Sequence, residues 1–213
     1  MQTFSLSDSD YDAIKRYVAT HHIALLVLDL NGVLDDYNAR KIDALRDVLG
    51  LENERHLPEL LLAIERAYMT DRSATIEQSF EQFFGARGLQ ITDDQRNKLA
   101  HFKVASQLTR EARTFLDSLE IPFVIYTSLS REQAEKALGP SQYDLFTRDQ
   151  YQEMKPSIAN LTAIMTRYNV TPQETCVVGD GLIDDLMPAS LVGMHTILVS
   201  PHAELLVRPS AEG

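Results

Sequence analysis

The stretch Ile23-Ala24-Leu25-Leu26-Val27-Leu28-Asp29-Leu30-Asn31-Gly32-Val33-Leu34 decides how the rest of the chain is read. Residues 23–30 are an almost continuous apolar run in which the first charge is Asp29. A run without polar alternation fits a strand covered on both faces, as in a parallel sheet, although a buried helix has the same periodicity. Gly32 follows at once and suits a tight turn. A carboxylate at the end of such a strand emerges from a dry interior into whatever crevice the strand end borders.

Upstream, residues 7–20 read as a helix. Ser7 or Ser9 can cap it, and Tyr11, Ile14, Tyr17 and Val18 recur at helical spacing. The first residues, Met1 to Asp12, are acidic and polar, without the basic start and apolar run of a signal peptide. No segment reaches the roughly 18 consecutive apolar residues of a membrane span. A cytoplasmic location is the expectation.

Downstream, residues 37–118 read as wholly helical. Ile42, Leu45, Val48 and Leu49 share one face, and Leu57, Leu60, Leu61, Ile64 and Tyr68 continue the pattern. Ile76, Phe80, Phe83 and Phe84 make a further stripe, which Gly85 and Gly88 interrupt. Thr92 and Gln95 have the spacing of a capping box. After this stretch the rhythm changes. Ile121–Tyr126 is a short β-branched and aromatic run ending in Thr127-Ser128, and Arg131–Leu138 is a short helix closed by Gly139-Pro140. Tyr143–Phe146 is a weak strand candidate, and Ser157 to Tyr168 a helix behind Lys155-Pro156. Thr175–Val178 is a strand ending in Gly179-Asp180-Gly181, 184–192 a helix and His195–Val199 the last strand. Strands alternating with short helices predict an α/β fold with a doubly wound parallel sheet. The helices between its first two strands predict an inserted cap. The expected division is a core of 1–36 with 119–213, and a helical cap of 37–118.

The chain has 213 residues, 44% of them hydrophobic and 24% charged, the balance of an ordinary globular protein with one good core and a smaller appended unit. Its net charge of -11 repels nucleic acid and anionic membranes, so neither is an expected partner. The same field disfavours phosphorylated substrates at long range, so a site for them needs metal, Lys or Arg nearby. The single cysteine, Cys176, excludes an internal disulfide.

Open parallel sheets put their sites at the carboxyl ends of strands. Three apolar runs here end in polar groups: Asp29, Thr127-Ser128 and Asp180. Lys155-Pro156 lies 25 residues before Asp180. Each has a bland reading alone: a turn aspartate, a helix cap, a solvated loop lysine, a Gly-Asp-Gly turn. Together, in this order and at strand ends, they compose a site. Two carboxylates in one crevice need a counter-charge, or one takes up a proton. Lys155 and a divalent cation would supply it, and Mg²⁺ suits hard oxygen ligands. A carboxylate beside Mg²⁺ can attack phosphorus, with Thr127 or Ser128 and the amides of the first loop holding phosphoryl oxygens.

These segments resemble the haloacid dehalogenase-like hydrolases of the helical-cap subclass, from about residue 23 to 200. Asp29-Leu30-Asn31-Gly32-Val33-Leu34 is similar to the first motif of that family, Asp-x-Asp-x-Thr/Val. Thr127-Ser128 looks like the second, Lys155-Pro156 the third, and Gly179-Asp180 with Asp184 and Asp185 the fourth. The resemblance implies that Asp29 is the nucleophile and a metal ligand, and that Asn31 offers the metal its backbone carbonyl. It implies that Thr127 binds the transferred phosphoryl group, Lys155 neutralises nucleophile and phosphate, and Asp180 binds Mg²⁺. With Gly32 and Ser128, these residues form the expected substrate pocket for a small phosphorylated molecule. Asp184 and Asp185 both qualify as the last acid, and the residues after them, Leu186–Ala189, slightly favour Asp185 by alignment.

The chain departs from the family's phosphatases at Asn31, where they carry the aspartate that protonates the leaving oxygen and later activates water. An amide donates hydrogen bonds but does not shuttle protons near neutral pH. Losing a general acid or base costs about 10²- to 10⁴-fold. Acyl or aryl phosphates depend less on that acid in the first step. Three readings follow: a slow or specialised Mg²⁺-dependent phosphatase or phosphotransferase; a catalytically degenerate domain binding a phosphorylated ligand or a protein; and a haloacid dehalogenase. The last ranks low, because dehalogenases carry a Ser-Asn-x-x-Asp fourth motif without metal. A receiver domain does not fit, because its acidic pair follows the first strand and it has no large helical insertion.

Other residues carry less. His21-His22 precede the first strand, away from its carboxyl end, and read as helix-end residues. Cys176 reads as inert core and the Phe80, Phe83, Phe84 stripe as cap core. Arg40, Arg66 and Arg72 default to solvated surface. Asp35 and Asp36 are no dependable substitutes for Asn31, because even a one-residue shift usually faces a side chain elsewhere.

Overall fold

The structure is a computed structural model and describes residues 3–6, 10–71, 74–139, 143–150 and 153–199, apart from the side chains of residues 3–6, 65, 68 and 69. Ser7, Ser9, Arg72, Pro140 and the Tyr68 side chain, all named above, lie outside the described residues. The chain forms two compact units, one of Met1–Asn38 with Ala105–Gly213 and one of Ala39–Val104.

The first unit is built on six parallel strands: β1 (Thr3–Leu6), β2 (Leu25–Leu28), β3 (Phe123–Thr127), β4 (Leu145–Thr147), β5 (Thr175–Gly179) and β6 (His195–Val199). Their order across the sheet is β1-β6-β5-β2-β3-β4. The apolar run at 23–30 is thus a central strand, and the burial of Leu25–Leu28 on both faces explains its lack of alternation. One face packs on α1 (Tyr11–Thr20), α6 (Arg110–Asp117) and α7 (Arg131–Leu138) through Leu26, Leu28, Ile125, Val178 and Ile197. The other packs on α8 (Ile158–Tyr168) and α9 (Met187–Leu191) through Leu25, Val27, Val124 and Val177. The sheet is therefore a doubly wound α/β layer structure, as the strand–helix alternation predicts.

Among the described residues the regular structure of the second unit is all helical. The chain enters it along α2 (Tyr37–Leu49), whose first residues still belong to the first unit, and continues through α3 (Leu57–Thr70), α4 (Ile76–Gly85) and α5 (Asp93–Ala100). Leu45, Leu49, Leu60, Ile64, Phe80, Phe83 and Phe84 form its own core, so the aromatic stripe is core. The Thr92–Gln95 capping box is formed, with a second one from Thr75 to Gln78.

Four details differ from the sequence reading. The first helix begins at Tyr11 behind Asp10, whose carboxylate accepts from the Ala13 amide at 2.9 Å. Thr3–Leu6, read as part of a polar terminus, is an edge strand parallel to β6. The insertion, expected over 37–118, is the unit Ala39–Val104; α6 lies in the first unit because Ala112, Phe115 and Leu116 are buried in the sheet core. The helix expected over 184–192 is a wide π-type turn, Leu182–Leu186, followed by the short α9.

Candidate active site

Strand register brings the polar residues together. Leu28 lies opposite Val178 of β5 and Ile125 of β3. The Asp29 amide donates to the Val178 carbonyl at 2.9 Å, which extends the ladder by one residue and delivers Asp29 beside Gly179-Asp180. This is the crevice where the strand order reverses direction around β2, the usual site position in an open α/β sheet.

Asp29, Asp180 and Asp185 each offer a carboxylate oxygen within 4.8 Å of the others. Lys155 Nζ donates to Asp29 Oδ1 at 2.8 Å, Asp185 Oδ1 at 2.7 Å and the Tyr126 carbonyl at 2.8 Å. Its ammonium also sits 4.1 Å from the centre of the Tyr126 ring, a favourable cation–π contact. The side chains of Lys155, Asp29 and Asp185 are only 5%, 12% and 4% exposed, so these are buried ion pairs. Of the two aspartates left open at the fourth motif, Asp185 joins the group and Asp184 lies outside it. Gly179 makes room for Asp185: a Cβ there would meet the Asp185 Cβ at 2.5 Å. The Gly181 amide donates to Asp185 Oδ2 at 3.2 Å.

The first loop is tightly built. Gly32 has φ +76°, and its amide donates to Asp35 Oδ1 at 2.8 Å. Asp35 also accepts from the Tyr37 amide, at 3.1 Å. It is buried in the turn, while Asp36 is exposed. Asn31 Oδ1 accepts from Ser106 Oγ at 2.5 Å. Asn38 Nδ2 donates to Asp180 Oδ2 at 2.7 Å. Thr127 ends β3, buried, and its hydroxyl accepts from the Leu129 amide at 3.3 Å; Ser128 beside it is half-buried. Asn38 and Ser106 were not singled out in the sequence. Asn38 belongs to no motif, and Ser106 lies 75 residues from Asn31, so only the fold reveals either contact.

The electrostatics of the group favour binding of positive charge. Burial pushes the Asp29 carboxyl well above its ordinary value; Lys155 opposes this, while Asp185 and Asp180 add to it. Burial and then Asp185 raise Asp180 to about 6, against the Asn38 hydrogen bond and the Lys155 charge. Three carboxylates face one ammonium, and a divalent cation would supply the remaining two charges. Three hard oxygen donors in one place suit Mg²⁺, which keeps several waters and takes few protein carboxylates. The residues present therefore fit the ion.

The remaining residues singled out in the sequence are not members of this group. His21 caps α1 and stacks on Tyr17 with ring centres 3.9 Å apart, while His22 is exposed. Cys176 is buried in β5. Arg66 is exposed and Arg40 half-buried. Among the described residues no helix is long and apolar enough to cross a membrane.

The model of the haloacid dehalogenase-like hydrolases matches residues 23–193. No curated protein matches the chain by sequence. Several solved structures share the fold. Magnesium-bound YfnB of Bacillus subtilis aligns with a TM-score of 0.59 at 18% identity, covering 88% of this chain and 92% of that one. L-2-haloacid dehalogenase of Xanthobacter autotrophicus aligns at 0.52 and 20% identity, covering 83% and 77%. A HAD-superfamily hydrolase of subfamily IA from Geobacter sulfurreducens aligns at 0.52 and 16%, covering 83% and 86%. The match runs from the strand that ends in Asp29 to the turn before β6 and takes in every residue of the carboxylate group: this chain belongs to the haloacid dehalogenase-like hydrolase family.

Proposed function

We propose that this chain is a Mg²⁺-dependent phosphotransferase or phosphatase, slow or specialised, that acts through Asp29 on a small phosphorylated molecule in the cytoplasm. The observation that carries this reading is the contact of Asp29 with Lys155, 2.8 Å, inside a group that also holds Asp180 and Asp185. A dehalogenase needs no such metal-binding set. The cation, when bound, would polarise the phosphoryl oxygens and screen their charge from the carboxylates.

The chain's own residues then divide the work. Lys155 holds the Asp29 carboxylate in place and favours its ionised form against the effect of burial, as a bound cation would also do. Asp29 attacks phosphorus; the new bond is Asp29 O–P, the bond that breaks joins phosphorus to the leaving oxygen, and that oxygen leaves with the electron pair. Asn31 donates a hydrogen bond but no proton, so leaving groups that are stable as anions, acyl or aryl oxygens, are favoured. Thr127, Ser128 and the amides of the first loop hold the transferred phosphoryl group. Attack by water or an acceptor hydroxyl then breaks the Asp29 O–P bond and restores the carboxylate.

A second reading has its own observation. Asn31, held by Ser106 Oγ at 2.5 Å, is an amide and supplies neither a general acid nor a base, which suits a domain that holds a phosphorylated ligand without turnover. Aryl-phosphate hydrolysis with and without Mg²⁺, in the parent, Asp29→Asn and Asn31→Asp, separates the two. Mg²⁺-dependent turnover that vanishes in Asp29→Asn supports the enzyme. A silent parent with activity gained in Asn31→Asp supports the binding domain. Activity that survives in Asp29→Asn overturns the proposal.

A further inference from the structure

The carboxylate group has a polar neighbour outside every motif. Asn38, on the first turn of α2 and 9% exposed, donates from Nδ2 to Asp180 Oδ2 at 2.7 Å. The three N–H donors of Lys155 are matched by Asp29, Asp185 and the Tyr126 carbonyl, so Asp180 takes its hydrogen bond from the amide and not from the ammonium. The loop is shaped around that bond. A Cβ on Gly32 would meet Asn38 Nδ2 at 2.2 Å and Asp180 Oδ2 at 2.5 Å, so only glycine lets the bond pass over the turn.

We propose that Asn38 is a positioning residue for Asp180 as a Mg²⁺ ligand, an inference that rests on the magnesium reading above. The amide fixes the rotation of the Asp180 carboxylate, so that it meets Asp29 and Asp185 in one arrangement. An amide suits this role because it donates to Oδ2 without adding a fourth negative charge to the group. Removing such an outer hydrogen-bond partner typically costs about 10- to 100-fold in metal affinity.

Titration calorimetry of the full chain with MgCl₂, in the parent, Asn38→Ala and Asn38→Leu, tests this. The leucine variant keeps the branched shape of the side chain without its hydrogen-bonding groups and serves if the alanine variant does not fold. The expected result is a Kd for Mg²⁺ raised about 10- to 100-fold in both. A variant that melts lower without metal yet binds Mg²⁺ as tightly as the parent overturns the role of Asn38 and leaves the magnesium reading standing. A parent that takes up no Mg²⁺ overturns both.

Discussion

Lys155 Nζ lies 2.8 Å from Asp29 Oδ1, although the two residues are 126 positions apart in the chain. Breaking a buried pair from one side leaves an uncompensated charge and costs about 3–5 kcal/mol. Lys155→Met should therefore lower the unfolding free energy by about that much. Urea melts measure it, and a loss below about 1 kcal/mol, the scale of an exposed pair, would contradict the buried geometry. Mg²⁺ should restore part of the loss, because it supplies positive charge to the same carboxylates.

Asn31→Asp should raise turnover of simple alkyl phosphates by about 10²- to 10⁴-fold, the usual contribution of a general acid or base. The gain should be smaller for an aryl phosphate, whose leaving oxygen needs no proton. Initial rates on both substrate types, with saturating Mg²⁺, give the comparison. Equal gains on the two would place the effect of Asn31 outside proton transfer.

If Asp29 acts as proposed, the second step in the parent should suffer more than the first with a good leaving group, because water still lacks a base. The Asp29 acyl phosphate should accumulate. Acid-quenched protein incubated with an aryl phosphate should show one added phosphoryl group by intact mass, absent in Asp29→Asn. A burst of released phenol equal to the enzyme concentration should accompany it.

Cys176 is buried in β5, and burial pushes its thiol far above the ordinary value. The thiolate is the reactive form, so the native chain should resist thiol reagents. An aromatic disulfide reagent should find no thiol in native buffer and one in denaturant. Rapid native labelling would mean that the centre of the sheet opens readily.

His195 sets a pH dependence. Burial, with His21 beside it, holds its imidazole below the ordinary value, and Tyr17 Oη lies 3.0 Å from its Nδ1. The unfolded chain therefore binds the proton more tightly than the folded one. Stability from this group is fully present above about pH 6.5, the unfolded value, and is lost as pH falls through the folded value. The stability difference between parent and His195→Gln should shift against the parent between about pH 7.5 and about pH 5. Chemical melts at the two pH values check it; a pH-independent difference would sink the assignment.

The central strand and its aspartate were legible because burial on two faces leaves one possible pattern, an unbroken apolar run. Asp180 was legible because the carboxyl ends of parallel strands share one edge of the sheet; Lys155 stands at no strand end and was legible from its place in the order of the motifs. Other features were hidden. The Thr3–Leu6 strand is four residues long at a sheet edge, too short for periodicity to register. The helix Arg110–Asp117 has a clear apolar face, but a face does not say which core it enters, hence the misplaced boundary of the insertion. Asp184 and Asp185 are separated by the packing of Asp185 against Gly179, a contact of the folded turn. Asn38 and Ser106 act through single hydrogen bonds to partners distant in sequence, and nothing local marks them.

Asn38 is the last residue of the first unit before the chain crosses into the helical insertion at Ala39, and the chain returns at Ala105, next to Ser106. Asp29, Asn31, Lys155, Asp180 and Asp185 all belong to that first unit as well. The junctions thus fall just outside both the carboxylate group and the two hydrogen-bonding residues, Asn38 and Ser106. A chimera that exchanges Ala39–Val104 for a foreign helical segment would inherit the whole reactive apparatus with its supports. The helical insertion and the carboxylate group are in that sense separate cassettes, spliced at two points within a residue or two of Asn38 and Ser106.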